Sequence, residues 1–335
     1  MRDQSLLCPR RMAVAVAVLK RFCIIAGGPG TGKTTTVVRL LAVLKRLYGA
    51  QPLRVALTAP TGKAAARVAE AIRAAKARLE GQGATAVIDI PEEAATLHRL
   101  LGVNPDTGQF RYHARNPLPA DVVIVDEASM VDLALMAKLV DALAPSARLI
   151  LVGDRDQLAS VEAGSVLADL CTIENGFSPP FAAQLYAATG QRAPAVERST
   201  ACLRDNVVVL IGSRRFGDQS GIGRVAREVN RGNAPAVIAS LAEPGSDVAW
   251  FREQRPSDRH SPVFARIVAG YGDYRRSVLE SADVAEVFSA FNRFRVLCAV
   301  RSGLAGVDAM NRIIEDALWP QRLRHAAQWY PGRAV

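Results

Sequence analysis

An α/β fold with a parallel sheet and helices on both faces is predicted by three features of this 335-residue chain. Short apolar runs alternate with segments of helical periodicity, the pattern of strands buried on both sides. A glycine-rich turn, Gly27–Thr34, joins the first apolar run to a helix. A carboxylate pair, Asp126 and Glu127, directly follows a later run, Val122–Val125.

The elements follow in order. Met12–Leu19 is apolar and flanked by Arg10-Arg11 and Lys20-Arg21. It is too short to span a bilayer and lacks a small-residue cleavage site, so it reads as a helix leading into the first strand. Phe22–Ala26 is that strand, and a helix is expected from about Lys33 to Leu47. Leu53–Leu57 is a second strand, followed by an Ala- and Arg-rich helix over about Gly62–Leu79. Val122–Val125 is the third. Asp132 then suits an N-cap, and Leu135, Met136, Leu139, Val140 and Leu143 form a stripe that packs on the sheet. Arg148–Val152 is the fourth strand.

Two stretches interrupt this alternation. Val103–Leu118 contains a Pro-Asp-Thr-Gly turn followed by aromatic and basic residues, and reads as a hairpin. Phe177–Arg204 is loop-like and contains proline. The expected division is therefore a first domain over 1–176, a linker over 177–204 and a second, weaker α/β unit over 205–335. Strands are expected in that unit near Val207–Leu210, Val248–Phe251 and Arg295–Val300.

Composition narrows the function. Forty-two basic against thirty-two acidic residues give a net charge of +10, which favours a polyanionic partner, either nucleic acid or an anionic membrane surface. The five cysteines are odd in number and include no CxxC pair, so neither a disulfide framework nor a cysteine-ligated metal site is expected. That usage fits a reducing cytoplasm. No clustered Asp/Glu/His set beyond the carboxylate pair suggests a nuclease centre.

The chemistry concentrates in Gly27, Gly28, Pro29, Gly30, Thr31, Gly32, Lys33 and Thr34, which meet the spacing G-x-x-x-x-G-K-[ST] between a strand and a helix. Glycines let the backbone curl so that successive N–H groups face phosphate oxygens, and the helix N-terminus adds favourable partial charge. Lys33 can place its ammonium on the β- and γ-phosphates of ATP, and the Thr34 hydroxyl can ligate Mg2+. Asp126 and Glu127 sit where ligands bind in open α/β sheets. Asp126 suits the Mg2+ shell and Glu127 the general base for the attacking water. Gln157, after the fourth strand in Val152-Gly-Asp-Arg-Asp-Gln, can sense the γ-phosphate or the lytic water. Thr58, Thr61 and Lys63, beside the start of the next helix, offer donors to a sugar-phosphate backbone.

With these motifs in this order, the sequence resembles superfamily-1 DNA helicases of the RecD type. GGPGTGKTTTV, LTAPTGKAAARV, TLHRLLG, VIVDEASMVDL and LVGDRDQLASVEAGSVLADL carry the likeness. FRYHARNPLPADVV and ASVEAGSVLADLC are most similar to the RecD subunit of exodeoxyribonuclease V, the RecBCD complex. Weaker similarity continues through SRRFGDQSGIGRVAREVN and FRVLCAVRSGLAGVDAMN.

The resemblance implies a P-loop NTPase with two RecA-like motor domains. It implies ATP-driven, 5′ to 3′ tracking on single-stranded DNA from duplex ends, beside RecB and RecC, in double-strand break repair and recombination. It implies that Arg215 of SRRF reaches the γ-phosphate across the cleft, with Arg214 as the rival; His98 of TLHRLLG is a candidate DNA contact, with a helix-packing histidine as the alternative. In the family a glutamine upstream of the loop reads the adenine, and Arg10 holds that position here. Of the hairpin, Phe110, Tyr112, His113 and Arg115 could meet the duplex junction. The family's N-terminal domain and later second-domain motifs have no counterpart in this sequence, so the second RecA-like domain is expected to be incomplete. The alternative is a chain that binds ATP or partner subunits without productive unwinding.

Overall fold

In the computed structural model the apolar runs become strands β1 (Phe22–Ala26), β2 (Val55–Ala59), β3 (Ala95–Thr96), β4 (Val122–Val125), β5 (Arg148–Gly153) and β6 (Val207–Val209). They form one sheet in the order β3-β2-β4-β5-β1-β6, with every pairing parallel. The structure describes residues 8–81, 90–157, 166–171, 176–196, 203–211, 220–243, 247–252, 258, 260–319 and 330–333.

Strand residues alternate between two cores, as a side-chain period of two requires. Cys23 and Ile25 of β1 enter one core, with Val122 and Ile124 of β4 and Ile150 and Val152 of β5. Ile24 and Ala26 enter the other, with Val123, Val125, Leu149 and Leu151. Ile24 and Ile25 are both fully buried, each contributing roughly 1.5–3 kcal/mol of transfer free energy.

The first core is covered by α1 (Pro9–Leu19), α2 (Lys33–Tyr48), α3 (Gly62–Glu80) and α7 (Pro179–Thr189). The second lies under α4 (Leu97–Leu101), α5 (Leu133–Asp141) and α6 (Val166–Leu170). The expected caps hold: the Asp132 carboxylate accepts from Leu135 N at 2.8 Å, starting α5.

The structure departs from the sequence reading at the domain boundary. Residues 177–204 are not a plain linker. Ser178 caps α7, and Phe181 and Leu185 are buried in the first core. Ser178 N and Oγ both bond Asp205, each at 2.7 Å. β6 does not open a second domain but extends the first sheet beside β1, pairing Ile24 with Val207. Asn206 Nδ2 donates to Phe22 O at 2.6 Å, which fixes that edge. The following helix, α8 (Gly221–Asn230), still belongs to the first unit, and the compact units divide between Gly232 and Asn233.

The second unit contains α9 (Ala234–Ala242), α10 (Pro262–Gly270), α11 (Gly272–Leu279), α12 (Val284–Asn292) and α13 (Val307–Leu318). Ile267, Tyr271, Tyr274, Ala290, Met310, Leu318 and Trp319 form its core. Among its described residues there is no strand. The expected strands near 248–251 and 295–300 are not formed. Phe294, Val296 and Cys298 do face the core alternately, while Leu297 is 92% exposed. The side-chain pattern of a strand is present without a neighbouring strand to take its backbone hydrogen bonds.

Candidate nucleotide-hydrolysis site

The glycine-rich turn leaves β1 at the C-terminal edge of the sheet and is held there by backbone bonds. Gly27 N donates to Gly153 O at 3.0 Å, and Leu210 N donates to Ala26 O at 2.7 Å. A Cβ on Gly27 would lie 2.8 Å from Thr31 Oγ1 and 3.0 Å from Leu210 O, so the turn has no room for a side chain there. Gly30 and Gly32 have φ of 77° and 92°, left-handed values that glycine adopts without strain. Thr31 Oγ1 donates to Gly28 O at 2.8 Å and closes the curl. No side chain caps the N-terminus of α2, which leaves its first N–H groups directed into the concavity. The cradle fits a triphosphate.

Lys33 folds back over the turn. Its ammonium donates to Gly27 O at 2.5 Å and Gly28 O at 3.2 Å. Asp126 and Glu127 follow β4 at the same edge. Burial pushes the Asp126 carboxyl up to about 6, with the neighbouring Glu127 charge adding to the rise and the Glu127 N–H and Lys33 opposing it. Glu127 N donates to Asp126 Oδ1 at 2.9 Å. Glu127 itself has φ 51°, a left-handed conformation that is uncommon for a side chain of its kind. The carboxylate is therefore carried on a strained backbone position directly after the strand.

Lys33, Thr34, Asp126, Glu127 and Gln157 all line one cleft of about 1010 Å3. That is at the upper end of the roughly 300–1,000 Å3 range of small-molecule sites. Gln157 Oε1 accepts from Ser129 Oγ at 3.3 Å. Ser129 is 8% exposed and was not singled out in the sequence, where its only signal is its place two residues after the carboxylate pair. Arg10 also borders the cleft, and its Nε donates to Thr31 O at 2.9 Å. Arg39 and Arg67, which the sequence reading did not single out, also line it.

The expected DNA contacts divide. Thr58 is wholly buried and its hydroxyl donates to Ala95 O at 2.9 Å, which removes it from the candidates in this conformation. Thr61 and Lys63 are exposed at the start of α3, where Thr61 Oγ1 accepts from Ala64 N at 3.2 Å. His98 is exposed, with its ring 6.3 Å from Phe110. The segment 103–118 forms two successive turns, closed by single bridges between Val103 and Phe110 and between His113 and Asn116. Phe110 and Tyr112 pack partly on the second core, whereas His113 and Arg115 are exposed. Arg214 and Arg215 lie outside the described residues.

The sheet order, the covering helices and the phosphate-type loop at its C-terminal edge define an α/β protein of the RecA-like P-loop fold. The family model described as an AAA domain matches residues 10–163. The RecBCD enzyme subunit RecD of Haemophilus influenzae is 38% identical, over 97% of this chain and 54% of that protein. The subunit of the same name from Mycolicibacterium smegmatis is 39% identical, over 97% of this chain and 53% of its own. The chain is similar to these RecD subunits along nearly all of its own length and spans about half the length of the curated relatives it matches. Among solved structures, Pif1 helicase from Candida albicans is 21% identical with a TM-score of 0.41, covering 71% of this chain and 48% of that one. No described helix is long and apolar enough to cross a membrane.

Proposed function

We propose that this chain supplies the ATP-hydrolysing motor of a DNA helicase subunit of the RecBCD type. In this reading it moves 5′ to 3′ along single-stranded DNA entered from duplex ends, in the cytoplasm, bound to RecB and RecC, during break repair and recombination. The observation that carries the reading is the convergence of Lys33, Thr34, Asp126, Glu127 and Gln157 on one cleft beside a glycine cradle. The similarity to RecD subunits and the basic balance of the chain support it.

The roles follow from chemistry. Lys33 exchanges the Gly27 and Gly28 carbonyls for phosphate oxygens. Among the described residues no cluster of three or more His, Cys, Asp or Glu could hold a metal. One hydroxyl and one carboxylate, Thr34 and Asp126, nevertheless suit Mg2+, which keeps several waters and takes phosphate oxygens as further ligands. When bound, Mg2+ would neutralise charge on the β,γ-oxygens. Glu127 accepts the proton of the attacking water, and Gln157, steadied by Ser129, orients that water or the γ-phosphate. Arg215 would complete the site from the segment beyond β6. Thr61, Lys63 and His98 remain the candidates for DNA.

The test is phosphate release and strand separation, measured with and without single-stranded DNA and, in parallel, with RecB and RecC. DNA-stimulated hydrolysis that Lys33→Ala abolishes is expected. Hydrolysis indifferent both to DNA and to Lys33→Ala would overturn the reading.

A further inference from the structure

We infer that the open edge of β2 is a docking site for an acidic, extended peptide segment of a partner protein, which adds to the sheet as a strand beside Arg99 and Arg111. The site lies at the start of β2, at the opposite end of the parallel sheet from the glycine loop, and does not depend on the hydrolysis reading.

The strands on either side cover β2 unequally. β4 pairs with Val55, Ala56, Leu57 and Thr58, whereas β3 pairs with Thr58 and Ala59 alone. On the β4 side, Arg54 O accepts from Asp121 N at 2.8 Å and from Val122 N at 3.1 Å, and Thr58 O accepts from Asp126 N at 2.9 Å. Backbone groups of successive strand residues point to alternate sides. The N–H and C=O of Val55 therefore point away from β4, to a side where no described strand takes them.

A cavity of about 480 Å3 lies at that edge. Val55 packs on the first core and Ala56 on the second, yet both line the cavity, so it follows the edge of the strand rather than one face of the sheet. Arg99 of α4 and Arg111 line it as well. Arg111 is positioned by the backbone: its N–H donates to Gly102 O at 3.1 Å, and Tyr112 N donates to Leu101 O at 3.2 Å. Its Cβ lies 2.8 Å from where a Cβ on Gly102 would stand, so its stem packs on the end of α4. Its guanidinium stands 5.4 Å from the centre of the Tyr112 ring. Arg54, also on the lining, is paired with Asp121, but among the described residues neither Arg99 nor Arg111 has a carboxylate partner.

These features select one class of occupant. An extended peptide brings both N–H and C=O groups to the Val55 edge, and in strand addition such main-chain bonds supply the affinity. A DNA backbone carries acceptors only and leaves the Val55 carbonyl unanswered. The two guanidiniums without carboxylates then set the side-chain chemistry, because a guanidinium fork takes a carboxylate bidentately. Side chains of an added strand alternate between the two faces. Acidic residues at every second position can therefore meet Arg99 and Arg111, while the residues between them face the other side.

The experiment selects octapeptides from a random library displayed on phage against the full chain. The enriched peptides are then labelled with fluorescein and measured by anisotropy on wild type, Arg99→Glu and Arg111→Glu. Enriched sequences are expected to carry Asp or Glu at alternate positions. Arg99 is exposed, so Arg99→Glu changes charge without touching the core, and it is expected to weaken binding about 10-fold, the scale of one close charge pair. N-methylation of alternate peptide amides blocks strand addition with the protein unchanged, and in one of its two phases is expected to weaken binding by about 10-fold or more. Enriched peptides that lack acidic residues, or that bind equally well after Arg99→Glu and Arg111→Glu or after N-methylation in both phases, would overturn the inference. Failure of the selection to enrich any sequence would do the same. Displacement of the peptides by a thymidine oligonucleotide whose own binding is lost in Arg99→Glu would give the edge to nucleic acid and so overturn it too.

Discussion

The Lys33 ammonium rests 2.5 Å from the carbonyl oxygen of Gly27, the first residue of the loop it serves. The lysine is held by the cradle's own backbone until a phosphate replaces those carbonyls. Its position needs no search through solvent-exposed rotamers, and the contact is local, with five residues between the two.

Lys33→Ala removes the ammonium that rests on the Gly27 and Gly28 carbonyls of the cradle. Hydrolysis should fall about 10²–10³-fold, as for loss of a preorganised transition-state donor. Stability should change little, by about 1 kcal/mol, because the lysine's bonds are to carbonyls that water can reach. Steady-state phosphate release and thermal melts separate the two effects.

Glu127 combines a proposed catalytic role with a left-handed backbone. Glu127→Gln should retain nucleotide binding and lose about 10²–10⁴-fold in hydrolysis. Glu127→Gly should be just as inactive, yet about 1 kcal/mol more stable, because glycine carries no penalty at φ 51°. Chemical denaturation of Glu127→Gly against wild type checks the gain in stability, and phosphate release checks the loss of hydrolysis in both variants.

Arg54 and Asp121 link the starts of β2 and β4. Arg54 N donates to Asp121 Oδ2 at 2.8 Å, Nε to the same oxygen at 3.1 Å, and Nη2 to Oδ1 at 2.7 Å. The Arg54 side-chain bond, above all, lowers the Asp121 carboxyl below its ordinary 3.8. The pair's contribution to stability is therefore complete above pH 3.8 and is lost as pH falls through the lowered folded value. Asp121→Asn should flatten the acid limb of a melting-temperature profile between about pH 5 and 2.

Cys23 is wholly buried and its thiol is pushed up to about 12, while burial takes Cys171 to about 11. Cys8 is exposed. Iodoacetamide at pH 8 should label Cys8 while sparing Cys23 and Cys171 in the folded chain, with all three labelled in denaturant. Peptide mass spectrometry reads the order directly.

The sequence by itself determined the buried strands, the cradle and the carboxylate pair, because each is written in local chemistry. β1 and β4 coincide with the apolar runs expected for them, and α5 begins at the expected Asp132 cap. β2 lies two residues beyond its expected start, where the Arg54–Asp121 clasp precedes the pairing of Val55 with Val122. Tertiary structure decided what depends on distant partners. Val207–Val209 joined the first sheet because β1 offered a free edge and Asn206 could reach Phe22. The Thr58 hydroxyl is taken up by the Ala95 carbonyl, 37 residues away. Phe181 and Leu185 turned an expected linker into part of the core. Arg10, distant in sequence from the loop, reached Thr31 only through the packing of α1 on the sheet. Periodicity and motif spacing report a residue's own neighbourhood along the chain, whereas these outcomes were set by which surfaces the folded sheet left open.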